Sequence, residues 1–251
     1  MTAAVTAAGG GGSRPPLPDV SLTLRRELAR KALHVTSAVV PAAYAAGAPR
    51  AALLALLLAL VVVAAAVELA RWRSARARER FLRATGLLLR AHEHQRLSGA
   101  TWLLASFALA VALYPRAVAV AAMWGVAVGD ASAAVVGRLA ARRRANRAGA
   151  AHRAATTPHT SDVPTTPAVT RAEPAGVTAG KTFAGSAACF VATLAGALAV
   201  ARLGAGESVV AALAGALAER PARPFDDNVR IVAAVGVAVL LYRLSISAAT
   251  P

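Results

Sequence analysis

Apolar residues in this chain run in long blocks, without the strict alternation of a half-buried strand or the single stripe of a surface helix. Seven blocks can be drawn, over residues 32–48, 51–70, 100–114, 117–139, 183–203, 208–218 and 229–244. A helix crosses the hydrocarbon core of a bilayer, about 30 Å thick, with about 20 apolar residues. Most of the blocks approach that length. The sixth is short and reads as a tilted, broken or re-entrant segment. The pattern predicts an all-α fold, a polytopic integral membrane helix bundle of about seven transmembrane helices.

The connections between blocks alternate in character. Arg25, Arg26, Arg30 and Lys31 precede the first block, eight arginines from Arg71 to Arg96 separate the second from the third, and six from Arg138 to Arg153 follow the fourth. The other connections are tiny: Ala48-Pro49-Arg50, Tyr114-Pro115-Arg116, and Gly204 to Glu207. Basic loops stay in the cytoplasm, so the expected topology has a cytoplasmic N-terminus and, with seven spans, an external C-terminus. Trp72, Trp102 and Tyr114 fall at block ends, as interfacial anchors do. Residues 1–20, with a glycine run and three prolines, read as a disordered tail. Residues 145–179, rich in Thr, Ala and Pro, read as a disordered cytoplasmic linker inside a membrane domain spanning 21–250. His152 and His159 give that linker a metal-binding alternative.

Composition sharpens this picture. The chain is 57% hydrophobic and its mean hydropathy is +0.54, above the roughly 45–50% apolar content of soluble domains. A net charge of +16 would suggest nucleic acid in a soluble protein. Here the arginines sit between apolar blocks and aromatics make up only 4%, so topology and lipid headgroups account for the charge and no nucleic acid is expected. The single cysteine, Cys189, excludes an internal disulfide and lies in an apolar run. The expected location is a bacterial cytoplasmic membrane.

Ionisable residues inside apolar blocks cost ~2.5–3.5 kcal/mol each on insertion scales, so they are informative. Asp130 lies in the fourth block beside Gly125, Gly129, Ala133 and Gly137, small residues at every fourth position that share a face and admit a close neighbour helix. Two readings stand: a packing seam with the carboxylate paired to an arginine such as Arg138, or a metal-binding or basic carboxylate at the mouth of a cytoplasmic cavity. Lys181 opens the fifth block in Gly180-Lys181-Thr182-Phe183-Ala184-Gly185-Ser186. A helix start offers free N–H groups to phosphate, and Thr182 and Ser186 add hydroxyls one turn apart. A soluble phosphate-binding loop is excluded, because Ala175 stands where the first glycine is required and no strand precedes. A snorkelling lysine is the plainer alternative.

Further polar sets fall on the same side of the predicted membrane. Glu27, Arg30, Lys31 and His34 follow an i, i+3, i+4, i+7 spacing and share one helix face. Glu68 and Arg71 make an i, i+3 pair at the end of the second block, which as a surface pair would contribute little. Glu93, between His92 and His94, leads into Gly99-Ala100-Thr101; it is not the zinc arrangement, and the two histidines read as a solvated loop. Glu219 and Asp226-Asp227-Asn228 lie between the sixth and seventh blocks. Adjacent aspartates with an Asn suit either magnesium or an acidic turn.

In their order along the chain, Glu27-x-x-Arg30-Lys31-x-x-His34, Glu93 with Gly99-Ala100-Thr101, Gly129-Asp130 with Gly137-Arg138, Lys181-Thr182 with Gly185-Ser186, and Glu219 with Asp226-Asp227-Asn228 resemble the CTP-dependent polyprenol kinase family. That family includes dolichol kinase, phytol kinase and CTP-using diacylglycerol kinases. The resemblance covers about residues 25–245. It implies a Mg²⁺-dependent kinase acting on CTP and a membrane lipid alcohol from the cytoplasmic side. Lys181, Thr182, Gly185 and Ser186 would hold phosphates, with Arg30, Lys31 and Arg138 contacting phosphate or cytidine. Asp130, Asp226, Asp227 and Asn228 would hold the metal, and Asp130 or Glu93 would orient the hydroxyl. Ala184 stands where many relatives carry glutamate. The core is also similar to phosphatidate cytidylyltransferase, which has Ser-Pro before the lysine where this chain has Ala179-Gly180. A non-catalytic transporter or scaffold is a further alternative.

Overall fold

The computed structural model describes residues 29–85, 97–155, 182–220 and 226–249. Among them every regular element is helical: α1 (29–36), α2 (Val39–Ala45), α3 (Arg50–Arg73), α4 (Ala75–Thr85), α5 (Gly99–Leu113), α6 (Arg116–Trp124), a π-helical turn (Gly125–Asp130), α7 (Ala131–Ala155), α8 (Phe183–Ala199), α9 (Ala205–Glu219) and α10 (Asp227–Ala249). Among the described residues three helices are long and apolar enough to cross a membrane: α3, the continuous run Arg116–Ala151, and α10. Helices α5 and α8 are apolar but shorter.

Burial runs opposite to the order of a soluble protein. The apolar window of α3 has a mean hydropathy of 2.8 and is only 17% buried, whereas that of Arg116–Ala151, less apolar at 1.6, is 72% buried. Leu56, Leu58, Val62 and Val63 of α3, Val191 of α8, Leu213 and Leu217 of α9, and Leu241 and Leu244 of α10 all face outward. Water would penalise that surface by about 25 cal/mol per Å²; lipid tails would not. The helix sequence Arg116–Asp130 forms the centre, with Val118, Ala119, Val120, Ala121, Ala122, Met123 and Val126 at or below 1% exposure. Around it pack α2, α5, α8 and α10, and α3 lies outside α5.

Short turns set the antiparallel order. Gly47 adopts φ +112, a conformation open to glycine, before Pro49 starts α3. Pro115 starts α6 in the same way. This end of the bundle is tied by Arg50, whose Nε and Nη2 donate to the carbonyls of Val111 (3.0 Å) and Ala112 (2.6 Å). Arg116 donates to Ala48 O at 3.1 Å and stacks on the Tyr44 ring. Glu207 accepts from Arg243 Nε at 2.7 Å.

Three expectations change. The block at 32–48 is not one helix: it breaks at Ser37-Ala38, between α1 and α2. Ser37 Oγ bonds back to His34 O, Thr36 Oγ1 to Ala32 O (3.0 Å), and Pro41 has no N–H to give Ser37, so backbone and side chains compete there. The fourth block is interrupted by the π turn. Residues 145–155, expected as the start of a disordered linker, continue α7, because alanine and arginine are strong helix formers even without an apolar stripe. The remainder of that linker and the 1–20 tail lie outside the described residues.

Candidate functional site

Asp130 is the last residue of the π turn, the kind of local widening often found at functional positions. Its Oδ2 accepts from Lys31 Nζ. Both residues keep only 8% exposure, and at that depth the pairing offsets a desolvation cost of several kcal/mol per ion. His34 Nε2 lies 3.9 Å from the same oxygen, within ion-pairing range but beyond hydrogen-bonding distance. Lys31 and His34 thus act from one face of α1, as their spacing predicts. His34 also meets the side chain of Asn228. Asn228 is buried, and its Nδ2 points at Gly99 O, 3.5 Å away. Arg138, two turns further along α7, donates its Nε–H to Ala134 O at 3.0 Å.

The small-residue face finds its neighbour in α8. A Cβ on Gly129 would lie 2.5 Å from Thr193 Oγ1, and one on Gly185 2.8 Å from Ala133 O. A Cβ on Gly137 would come within 3.1 Å of Thr182 Oγ1. Farther along, Trp124 lies against Gly196 and donates to Ala192 O at 3.2 Å. This antiparallel contact brings the start of α8 beside the first turns of α7, close to Asp130. Thr182 caps α8: its Oγ1 accepts from Gly185 N at 3.1 Å. The Ser186 hydroxyl is buried one turn on, without a hydrogen-bond partner among the described residues.

A second buried ionic group lies at this end. Glu68 and Arg71 pair at 2% exposure each. Glu68 Oε1 accepts from Ser98 N at 2.9 Å and Thr101 Oγ1 at 3.2 Å. The Arg71 guanidinium stands over the rings of Trp72 (5.6 Å) and Phe81 (5.1 Å). The reading as a weak surface bridge does not hold: the pair is part of a desolvated network joining α3, α4 and the start of α5. Nothing local in the sequence announces Ser98 as a partner. Gly99, its neighbour, faces Asn228, so the two ionic groups are linked by the beginning of α5.

At the start of α10, Asp226 Oδ1 accepts from Asn228 N at 3.0 Å, and Asp227 pairs with Arg230. Glu219 is buried at the end of α9. Arg30 is half-buried on α1. Glu27, Glu93 and Lys181 lie outside the described residues. Among the described residues no three His, Cys, Asp or Glu side chains come together to cage a metal. The oxygen donor at the Lys31 pair is the Asp130 carboxylate, with His34 between it and Asn228. A single carboxylate, with phosphates supplying the other oxygens, is chemically compatible with nucleotide-bound Mg²⁺.

No family model, curated protein or solved structure matches this chain.

Proposed function

We propose that the protein is a membrane lipid-alcohol kinase that transfers the γ-phosphate of CTP to a polyprenol, a phytol-like alcohol or a diacylglycerol. The observation that carries this reading is the buried Lys31–Asp130 pair with His34 and Asn228, gathered from α1, the π turn and α10. It lies at the same end as the start of α8. Charges that costly, assembled from distant parts of the chain, suit an anionic ligand at the inner surface of a bilayer.

In this proposal the α8 N-terminus, Lys181 just before Thr182, and the Ser186 hydroxyl bind the phosphates. Lys31 supplies a positive charge that shifts from Asp130 toward the nucleotide, freeing carboxylate oxygens as the ligand arrives. Arg30 and Arg138 contribute further positive charge. Asp130 would hold Mg²⁺, which when bound neutralises charge on the transferring phosphoryl group. Asp130 or Glu93 orients the alcohol and accepts its proton. The alcohol oxygen forms the new P–O bond, the bond between the γ-phosphorus and the bridging oxygen breaks, and CDP leaves. The alcohol reaches the site laterally, since its chain shares the solvent of the outward leucines and valines. The active end faces the cytoplasm, where the arginine-rich segments belong.

The test uses purified protein, a panel of lipid alcohols and phosphatidic acid, and CTP labelled at the γ-phosphate. Label in the lipid is the expected result. Label in pyrophosphate with a CDP-lipid product would assign the cytidylyltransferase reaction instead. No transfer to any lipid would leave the transporter or scaffold reading.

A further inference from the structure

The helix α3 ends at Ser74, whose extended backbone (φ −130, ψ 123) turns the chain before α4 begins. Ser74 Oγ then accepts from Ala77 N at 3.3 Å, starting the new helix. The elbow is fixed by Arg71, which pairs with Glu68 on one side and lies against Phe81 of α4 on the other. Trp72 is half exposed at the end of the most lipid-facing helix, the depth at which tryptophan marks a bilayer boundary. Thus α4 starts at that boundary, off the axis of α3.

The composition of α4 is two-sided. Ala77, Phe81, Leu82 and Thr85 are half-buried along one face, while Arg76, Arg78, Arg80 and Arg83 are exposed. Only one acidic residue, Glu79, opposes them, and its pair with Arg83 is solvent-facing. No residue of α4 is fully buried. At 100° per residue Arg76, Arg80 and Arg83 share the face opposite Ala77, Phe81 and Thr85, while Arg78 falls on the half-buried side. A helix basic on one side and mainly apolar on the other, held at membrane depth, lies in the interface plane. Guanidinium groups there match phosphodiester oxygens.

We infer that α4 is a binding surface for anionic phospholipid headgroups, with Arg76, Arg80 and Arg83 as its contacts. This is independent of the kinase reading and needs only that α3 is embedded in lipid. Because Arg71 couples α4 to Glu68, and Glu68 holds the start of α5, headgroup binding would also steady the elbow beside the candidate site.

The test reconstitutes the full chain in nanodiscs and compares retention of spin-labelled phosphatidylglycerol with spin-labelled phosphatidylcholine. Wild type should favour phosphatidylglycerol, and replacing Arg76, Arg80 and Arg83 by glutamine should lower that preference by roughly tenfold or more. Replacement by lysine should retain most of it. Equal retention of both lipids by wild type, or an unchanged preference in the glutamine variant, overturns the proposal. If the glutamine variant does not fold, a fluorophore at Ala84→Cys in a Cys189→Ala background reads α4 directly. Its emission should shift when phosphatidylglycerol is added and return in high salt. No shift, or a shift reversed equally by millimolar inorganic phosphate at constant ionic strength, overturns headgroup binding.

Discussion

Lys31 and Asp130 stand 99 positions apart in the chain and form a buried ion pair. The contact pins α1 to the π turn at the centre of the bundle, and it places a cation where a phosphate-binding centre would need one. An ion pair of this kind has a structural and a chemical meaning, and the two separate experimentally. Removing one partner takes a counter-charge from the other, whereas removing both leaves an apolar contact.

Asp130→Asn and Lys31→Met are each expected to lower stability by about 3–5 kcal/mol, read as a drop in the thermal unfolding midpoint of purified protein. The double variant Lys31→Met/Asp130→Leu should recover most of that loss. It should not recover CTP-dependent lipid phosphorylation. Activity in the double variant comparable to wild type would remove Asp130 and Lys31 from the proposed site.

The glycine seam makes a graded prediction. Alanine at Gly129 or Gly185 would bring a Cβ to 2.5 Å and 2.8 Å from α8 and α7 atoms respectively. Each should destabilise by about 1–3 kcal/mol, as overpacking does. Gly215→Ala, with its nearest contact at 3.6 Å, should be tolerated. Thermal unfolding of the three variants side by side checks the order; an equal effect at all three would mean helix propensity, not proximity, governs.

These two results bear on what the sequence carries. The helical, strongly apolar character of the blocks is legible from their length, and the small-residue face of the fourth block and the shared face of Lys31 and His34 from a local period. The identity of what meets them is not. Nothing near Asp130 names Lys31 as a partner, because that contact depends on how α1 crosses the bundle. The break at Ser37-Ala38 and the π turn at Gly125–Asp130 escape for another reason. Both are small shifts of hydrogen bonding within apolar runs whose composition stays that of a helix. The continuation of α7 to Ala155 was masked by the absence of an apolar stripe, though its alanines and arginines favour helix on their own.

Glu68→Gln should cost about 3–5 kcal/mol, because Arg71 would lose its buried counter-charge while Ser98 N kept an acceptor. Glu79→Gln removes a pair of the same chemistry, i to i+4 and more than half exposed on both sides, and should change stability by about 0.5 kcal/mol or less. Chemical or thermal unfolding of both variants makes the comparison. Similar small effects would mean that water reaches Arg71.

Acid should unlock the opposite end of the bundle. Glu207, half-buried between α9 and α10, is held below its ordinary value of 4.5, chiefly by the hydrogen bond from Arg243, with burial opposing. A carboxylate whose folded value is depressed binds its proton more readily in the unfolded chain. Its contribution is therefore complete above 4.5 and is lost as pH falls below that, through the folded value. The unfolding midpoint of Glu207→Gln should lie below that of wild type near neutral pH, and the gap should close in acid. Because Arg243 is partly exposed, the gap should be modest and should shrink with added salt. A gap that stays constant with pH would mean the ion pair contributes through packing alone, and that the α9–α10 contact is held by Tyr242 against Gly206 instead.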